Sequence, residues 1–88
     1  MEAFNNIRTL EKELGIKFIT CNSSNIEAFG FDNQRNTLWV LFKRSLVYKY
    51  PDQTPESYED LCKAESKGKW VNDNLVKPKA PCERYRIK

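Results

Sequence analysis

With 88 residues, the chain is long enough for one small domain with a single hydrophobic core. Hydrophobic residues make up 40% of it and charged residues 31%, a balance that argues against a disordered chain. No apolar run approaches the roughly 18 residues that cross a bilayer, and the N-terminus lacks the basic start and apolar centre of a secretory signal. We therefore expect a soluble, cytoplasmic protein with no membrane partner.

The net charge of +3 is unevenly distributed along the chain. Residues 76–88 hold five of the 15 basic residues and one of the 12 acidic ones, so the whole positive excess lies in this segment. A basic tail of this kind suits a polyanionic partner, although a solvated terminus would have the same composition.

The cysteines and the absence of histidine limit the chemistry that the chain can perform. Cys21, Cys62 and Cys82 are odd in number and widely spaced, which favours reduced thiols over a disulfide framework. Without histidine or a Cys-x-x-Cys pair, neither zinc nor another cofactor is expected. The usual general base near neutral pH is also missing, so we do not expect an enzyme.

An amphipathic helix is predicted over residues 2–14. Its apolar residues recur at three- and four-residue steps, the period of one helix face: Phe4, Ile7, Leu10 and Leu14. Gly15 supplies a left-handed stop. This stripe must be buried, either on the rest of the domain or against a second copy or a partner protein, and it is therefore the candidate interface.

Three strands are predicted in quick succession, after a short strand or extended link around residues 16–20. They are Ile26–Asp32, Thr37–Lys43 and Leu46–Tyr50. Their short connections predict antiparallel hairpins, hence a meander. The second strand is apolar on both faces, with Leu38, Val40 and Phe42 on one and Trp39 and Leu41 on the other. It should therefore be central, with both faces of the sheet covered.

A second helix follows, with Thr54 as its N-cap and Pro55 at its first position. Tyr58, Leu61 and Cys62 form its apolar stripe, and it should stop near residues 66–68. Three later residues, Trp70, Val71 and Leu75, are further anchors, before Pro78 and Pro81 make the tail irregular.

The predicted fold class is α+β. It comprises a three-stranded antiparallel β-meander packed against the helix at residues 55–64, with an extra N-terminal helix.

Several short fragments, in this order and spacing, resemble the KTSC domain, which occurs at the C-terminus of some lysyl-tRNA synthetases and as a stand-alone protein. The fragments are Ser24-Asn25-Ile26, Gly30-Phe31-Asp32, Leu38-x-Val40-x-Phe42, Tyr48-Lys49-Tyr50, Pro55-x-x-Tyr58, Ala64-x-Ser66-x-Gly68 and Asn72-x-x-Leu75. The resemblance divides the chain into an N-terminal helix and link (1–21), a KTSC-like domain (22–78) and a basic tail (79–88).

The resemblance implies a binding role rather than a reaction. Fusion to a synthetase suggests RNA binding, which is the first function expected here. Small stand-alone members look common among phage and prophage proteins, so the resemblance also implies an alternative, an inhibitor of a host protein or defence system, together with a protein that sequesters a small ligand.

The tyrosines of the third strand are the main candidates for a nucleic-acid site. In a strand, Tyr48 and Tyr50 point to one side and Lys49 to the other. If that side is open, the two rings lie about 7 Å apart and can take neighbouring bases. If it is covered, they are ordinary core residues beneath the second helix, against Tyr58. The full candidate set is Tyr48, Lys49, Tyr50, Trp70, Lys77, Lys79, Arg84 and Arg86.

Overall fold

The computed structural model describes residues 2–85, except for the side chains of residues 2–6 and Ser45. Phe4 and Arg86, two of the candidate residues, therefore have side chains outside the described residues. The elements in chain order are α1 (Glu2–Leu14), β1 (Phe18–Thr20), β2 (Ile26–Asp32), β3 (Thr37–Phe42), a 3-10 turn (Lys43–Ser45), β4 (Leu46–Tyr50), α2 (Pro55–Lys63), α3 (Lys67–Val71), a π-helical turn (Asn72–Val76) and β5 (Glu83–Tyr85).

Within residues 2–85, the sheet has five antiparallel strands in the order β1-β2-β3-β4-β5, so the predicted α+β class is confirmed and the predicted width of three strands is wrong. The predicted meander is its centre. β1 extends it on one side by pairing with residues 28–30 of β2, and β5 extends it on the other by pairing with residues 47–49 of β4. The tail is therefore not irregular throughout, because the three residues of β5 follow Pro81 closely and complete the sheet.

The prediction that β3 is apolar on both faces is confirmed. Leu38 and Val40 belong to an apolar cluster on one face of the sheet, the first face, whereas Trp39 and Leu41 belong to a second cluster on the opposite, second face. Both faces are covered, because Trp39 is only 6% exposed and the other three are fully buried. A register shift between Ile26 and Ala28 in β2 lets these two residues, only two positions apart, join opposite clusters.

Helix α1 covers the second face, as its apolar stripe predicts. Ile7 and Leu10 are buried in the cluster with Trp39 and Leu41, and Leu14 packs at its margin. The helix ends at Gly15, whose φ of 70° is the left-handed conformation that glycine adopts without strain. The described residues of the candidate interface, Ile7, Leu10 and Leu14, therefore pack against the rest of the domain.

Helices α2 and α3 cover the first face. The Thr54 hydroxyl accepts a hydrogen bond from the Ser57 amide at 3.1 Å, which confirms the predicted N-cap. At the other end, the Lys67 ammonium donates to the Cys62 and Ala64 carbonyls, at 2.8 and 2.5 Å. These contacts satisfy carbonyls that the end of a helix leaves free.

Helix α3 is an element that the sequence reasoning described only as a set of anchors. Val71 and Leu75 are buried against the first face, and Trp70 is half-buried beside them. Gly68 allows the helix to approach the chain before β2, because a Cβ there would lie 2.9 Å from the Ser23 hydroxyl. Within residues 2–85, no helix is long and apolar enough to cross a membrane.

Candidate nucleic-acid-binding groove

A groove of about 730 Å³ lies on the first face, between the ends of β3 and β4 and the chain that follows α3. Its floor is apolar and partly aromatic: Phe42, Leu46, Tyr48, Tyr50 and Leu75. Its rim carries polar and cationic side chains, which are Ser24, Asn25, Lys43, Arg44, Asn72 and Lys79. The remaining lining comes from Val76, Ala80 and Cys82. We call Lys79, Ala80 and Cys82 the outer wall of the groove, and Val76 lies at the base of this wall.

Hydrogen bonds donated by backbone amides hold the rim in place. The Ser23 hydroxyl accepts from the amides of Asn25 and Ile26, at 3.2 and 3.3 Å, in a tight turn before β2. The Asn25 carbonyl accepts from the Lys43 amide at 2.8 Å, which ties this turn to the one between β3 and β4. The side chains of two separate loops therefore meet at one end of the groove.

The two tyrosines of β4 point to the same side, as predicted, but their surroundings differ. Tyr48 is half-buried and meets Phe42 edge to face, with ring centroids 5.8 Å apart and an interplanar angle of 80°. Tyr50 is only 4% exposed and belongs to the core cluster. The second helix does not cover them through Tyr58, whose ring packs instead on Phe29 and Phe31.

The environment of Tyr50 is reflected in its acidity. Burial raises the pKa of Tyr50 to about 12, and the neighbouring Cys82 and Tyr48 contribute in the same direction. Because Tyr50 is enclosed, the platform of two open tyrosine rings is not formed, and Tyr48 alone presents part of its ring to the groove.

Among the described residues, three cations and no carboxylates line the groove. Lys43 forms an ion pair with Glu27 at 3.1 Å. Arg44 and Lys79 are exposed, and neither forms an ion pair with an acidic residue in the described part of the chain. Their charges are therefore available to an anion.

Arg44 and Lys79 also share an unusual backbone conformation. Their φ values of 70° and 57° lie in the left-handed region, which costs a residue with a Cβ roughly 1–2 kcal/mol. Backbone strain of this kind is frequent at binding sites. Both strained cations face the same groove from separate parts of the chain.

Arg84 extends the positive charge beyond the groove. It lies opposite Tyr48 in the pairing of β4 with β5, and directly opposed residues of antiparallel strands point to the same face. Its side chain is exposed. Tyr48, Lys79 and Arg84 are therefore the predicted candidates that the structure places together, with Tyr50 beneath them.

The other described candidates lie elsewhere. Lys49 points to the opposite face, where its ammonium lies 3.1 Å from the Glu83 carboxylate and 5.9 Å from the centre of the Trp39 ring. Lys77 pairs with Asp73 at 3.4 Å. Trp70 lines a separate cleft on α3 with Lys69 and Asp73 among its neighbours.

Sequence reasoning missed several groove residues, chiefly Phe42, the adjacent basic residues Lys43 and Arg44, and the polar residues at positions 24, 25 and 72. The sequence does contain a signal for the two basic residues, because they occupy the tight turn between two predicted strands. The polar residues were noticed only as fragments of a family pattern, with no indication that they meet in space.

The structure is a small α+β domain with helices on both faces of its sheet, and comparison with known proteins identifies its family. The family model of the KTSC domain matches residues 22–77. A protein of Tsukamurella paurometabola is 42% identical over 57 residues, which cover 65% of this chain and 84% of that protein. The chain belongs to the KTSC domain family.

A solved structure supports the same fold. The crystal structure of a KTSC domain protein from Yersinia pestis matches with a TM-score of 0.72 and 24% sequence identity. The match covers 81% of this chain and 99% of that one.

The groove combines residues inside and outside the family match. Seven of the residues through which the sequence resembles the family line it: Ser24, Asn25, Phe42, Tyr48, Tyr50, Asn72 and Leu75. The outer wall, in contrast, lies after residue 77, and so does β5. Helix α1 and β1 precede the match.

Proposed function

We propose that this protein is a non-catalytic binding domain for single-stranded RNA, which holds an unpaired base in the groove and phosphates along its rim. The observation that carries this proposal is the combination of a partly aromatic floor with a rim whose charged residues, within the described part of the chain, are all cations. A nucleotide has the matching parts, an apolar ring face and an anionic phosphate.

The floor suits a base because it offers both a ring and hydrogen-bonding groups nearby. The groove lies within the range of roughly 300–1,000 Å³ that is typical of small-ligand sites. Stacking of a base on an aromatic side chain contributes roughly 1–3 kcal/mol, and the half-buried Tyr48 offers a ring for it. The side-chain amides of Asn25 and Asn72 can each donate and accept hydrogen bonds, as the edges of unpaired bases require.

The rim suits phosphate because Arg44 and Lys79 do not have to break an ion pair to bind it. Each phosphate contact on a single strand lowers the slope of log K against log salt by about 0.7. Contacts from these two residues and Arg84 would therefore give a slope of about −2.

A thiol-based reaction has less support than binding. Burial raises the pKa of Cys21, which moves this thiol away from the reactive thiolate form. Cys82 lines the groove, but the group placed beside it is the buried Tyr50 rather than a base that could activate it.

Fluorescence anisotropy with labelled single-stranded RNA oligonucleotides of mixed sequence tests the proposal. Tyr48→Ala should weaken binding by about tenfold or more, the effect of losing one stacked base. Lys79→Ala should weaken it and reduce the salt slope by about 0.7. Lys77→Ala is the matched control, because this lysine lies two residues away, is paired with Asp73 and does not line the groove.

No binding of wild-type protein to RNA at low salt would overturn the proposal, as would equal effects of Lys77→Ala and Lys79→Ala. Preferential binding of single-stranded DNA would support the groove as a nucleic-acid site and overturn the assignment of RNA as its ligand. Binding of an acidic peptide or host protein at the groove, with no affinity for nucleic acid, would favour the interaction role that the sequence leaves open.

A further inference from the structure

The elements outside the family match are linked to one another, and one of them carries the outer wall of the groove. We propose that Glu13 and Tyr85, which lie on the opposite face of the sheet, are positioning residues that hold the outer wall (Lys79, Ala80 and Cys82) in place. The effect on ligand binding rests on the function proposed above, whereas the docking of the wall does not.

The outer wall is a short bridge fastened at its two ends. At its start, the Lys79 amide donates to the Val76 carbonyl at 3.1 Å and the Ala80 amide donates to the Leu75 carbonyl at 3.0 Å. At its end, the chain enters β5, which pairs with β4 over only three residues. Pro78 and Pro81 have no backbone donor, so the bridge itself is poor in backbone hydrogen bonds. Its position therefore depends on how firmly β5 is held.

Tyr85 is the principal anchor of β5. Its ring meets the buried Trp39 edge to face, with centroids 5.2 Å apart and an interplanar angle of 86°. Its hydroxyl donates to the Glu13 carboxylate at 2.6 Å, the short distance of a charge-assisted hydrogen bond. The described ion pair of β5, between Glu83 and Lys49, is exposed and therefore weak. The hydrogen bond to Glu13 is exposed as well, so the ring contact with Trp39 is the larger part of the anchor.

Alternation along β5 connects this anchor to the groove. Tyr85 points to the face covered by α1, so Arg84 points to the groove side, and the chain before β5 places Cys82 against Tyr50. The contacts of Tyr85 on one face therefore determine the positions of Arg84 and Cys82 on the other face. Release of Tyr85 would move Arg84 away from Tyr48 and uncover Tyr50.

Helix α1 links the two outermost strands of the sheet. The Glu11 carboxylate accepts from the Phe18 amide of β1 at 2.8 Å, and the Glu13 carboxylate accepts from Tyr85 of β5 at 2.6 Å. Since β1 and β5 are the opposite edges of the sheet, the last turns of α1 connect both. The N-terminal helix is thus part of the support of the groove rather than a separate appendage.

Four substitutions separate anchoring from folding. Tyr85→Ala removes both the ring contact and the hydrogen bond, and Tyr85→Phe removes the hydrogen bond alone. Glu13→Ala removes the acceptor from the helix side, whereas Glu13→Gln keeps an oxygen that can accept from the tyrosine. Lys12→Ala is the matched control, because this exposed neighbour on α1 forms no hydrogen bond or ion pair with the described residues of β5.

The first measurement is amide hydrogen exchange of the full chain without ligand. Tyr85→Ala, which removes the ring contact and the hydrogen bond, should speed exchange in the paired residues of β4 and β5 by about tenfold. Tyr85→Phe and Glu13→Ala, which remove only the exposed hydrogen bond, should speed it by a smaller factor. All three should leave β2 and β3 unchanged. Glu13→Gln should restore slow exchange. Unchanged exchange at β4 and β5, or equal acceleration throughout the sheet, would overturn the positioning role.

The second measurement is the affinity for the RNA oligonucleotide that binds the wild type. The variants that loosen β5 should bind several-fold more weakly, and Glu13→Gln and Lys12→Ala should bind as the wild type does. Loosened exchange with unchanged affinity would overturn the role of the wall in binding. If amide exchange is faster in the variants but the wild-type protein binds no RNA, the proposed function is overturned and the anchoring role of Tyr85 and Glu13 is retained.

Discussion

The two faces of the sheet are closed to different degrees. On the face covered by α1, Leu10, Leu41 and Val47 are fully buried, and Trp39 is sealed by Tyr85 and Lys49. On the other face, α2 and α3 seal only the inner part, and Phe42, Leu46 and Tyr48 remain half-exposed in the groove. Because both faces use the same two strands, β3 and β4, closure on one side supplies the rigidity that an open site on the other side needs.

The largest expected difference between the faces is in stability. Leu10→Ala should lower the free energy of unfolding by about 2–5 kcal/mol, because it leaves a cavity in the closed face. Leu46→Ala should cost about 1 kcal/mol or less, because this half-buried side chain borders a groove that water can enter. Urea denaturation of both variants measures this contrast. Equal losses would show that the groove face is packed as tightly as the α1 face.

Alkaline pH should weaken the groove face through its buried tyrosine. The folded-state pKa of Tyr50 is about 12, above the ordinary value of 10, so the unfolded chain loses its proton first as pH rises. The contribution of Tyr50 is therefore fully present below pH 10 and is lost progressively between pH 10 and 12, by roughly 2–3 kcal/mol. Unfolding free energies measured from pH 9 to 11 check the sign.

Tyr50→Phe is the control for that experiment, because it keeps the ring and removes the ionisable group. The variant should lose part of the decline between pH 10 and 11. The rest should persist, since burial also raises the pKa of Tyr58 to about 12. A variant with the same decline as the wild type would show that Tyr50 ionises freely in the folded protein.

The central elements of this fold could be predicted from the sequence because their signals are local. The period of α1, the stop at Gly15, the two apolar faces of β3 and the cap at Thr54 are each written within a few residues. β5 could not be predicted in the same way. Its three residues follow a proline and show no alternation, and they become a strand only because β4, distant in sequence, offers them an edge.

The same limit applies to the candidate site. Tyr48 and Tyr50 have equivalent positions in the pattern of β4, and sequence alone cannot distinguish an open ring from a buried one. The distinction depends on tertiary packing, which encloses Tyr50 in the core cluster with Cys82 of the tail beside it. Arg44 and Lys79 likewise meet at one groove only after the chain has folded, so the spacing of the basic residues along the chain does not predict that they lie together.

Backbone strain at the groove should separate stability from binding. Arg44→Gly and Lys79→Gly should each raise the free energy of unfolding by up to about 1 kcal/mol, because glycine adopts a positive φ without a clash. The same changes should weaken RNA binding, since each removes a cation from the rim. Thermal or urea unfolding and anisotropy measure the two effects side by side.

Asn36→Gly is the matched control for the strained cations. Asn36 has a φ of 50° in the turn between β2 and β3, away from the groove. Glycine there should stabilise the protein by a similar or smaller amount, because asparagine tolerates this conformation better than other residues, and RNA binding should not change. If Arg44→Gly and Lys79→Gly also left binding unchanged, the two left-handed cations would have no part in recognition.

The smallest expected effect concerns the contact between the tail and Tyr50. Cys82→Ala removes a thiol that contributes to the raised pKa of Tyr50, but burial is the larger cause. The pKa of Tyr50 should therefore fall slightly and stay above 10, as followed by the absorbance of tyrosinate during alkaline titration. A return to the ordinary value would mean that the thiol, rather than the enclosing core, keeps Tyr50 protonated. Because Cys82 lies on the outer wall, that result would also show that the wall closes the groove face over Tyr50, whereas on the opposite face the helix α1 does the covering.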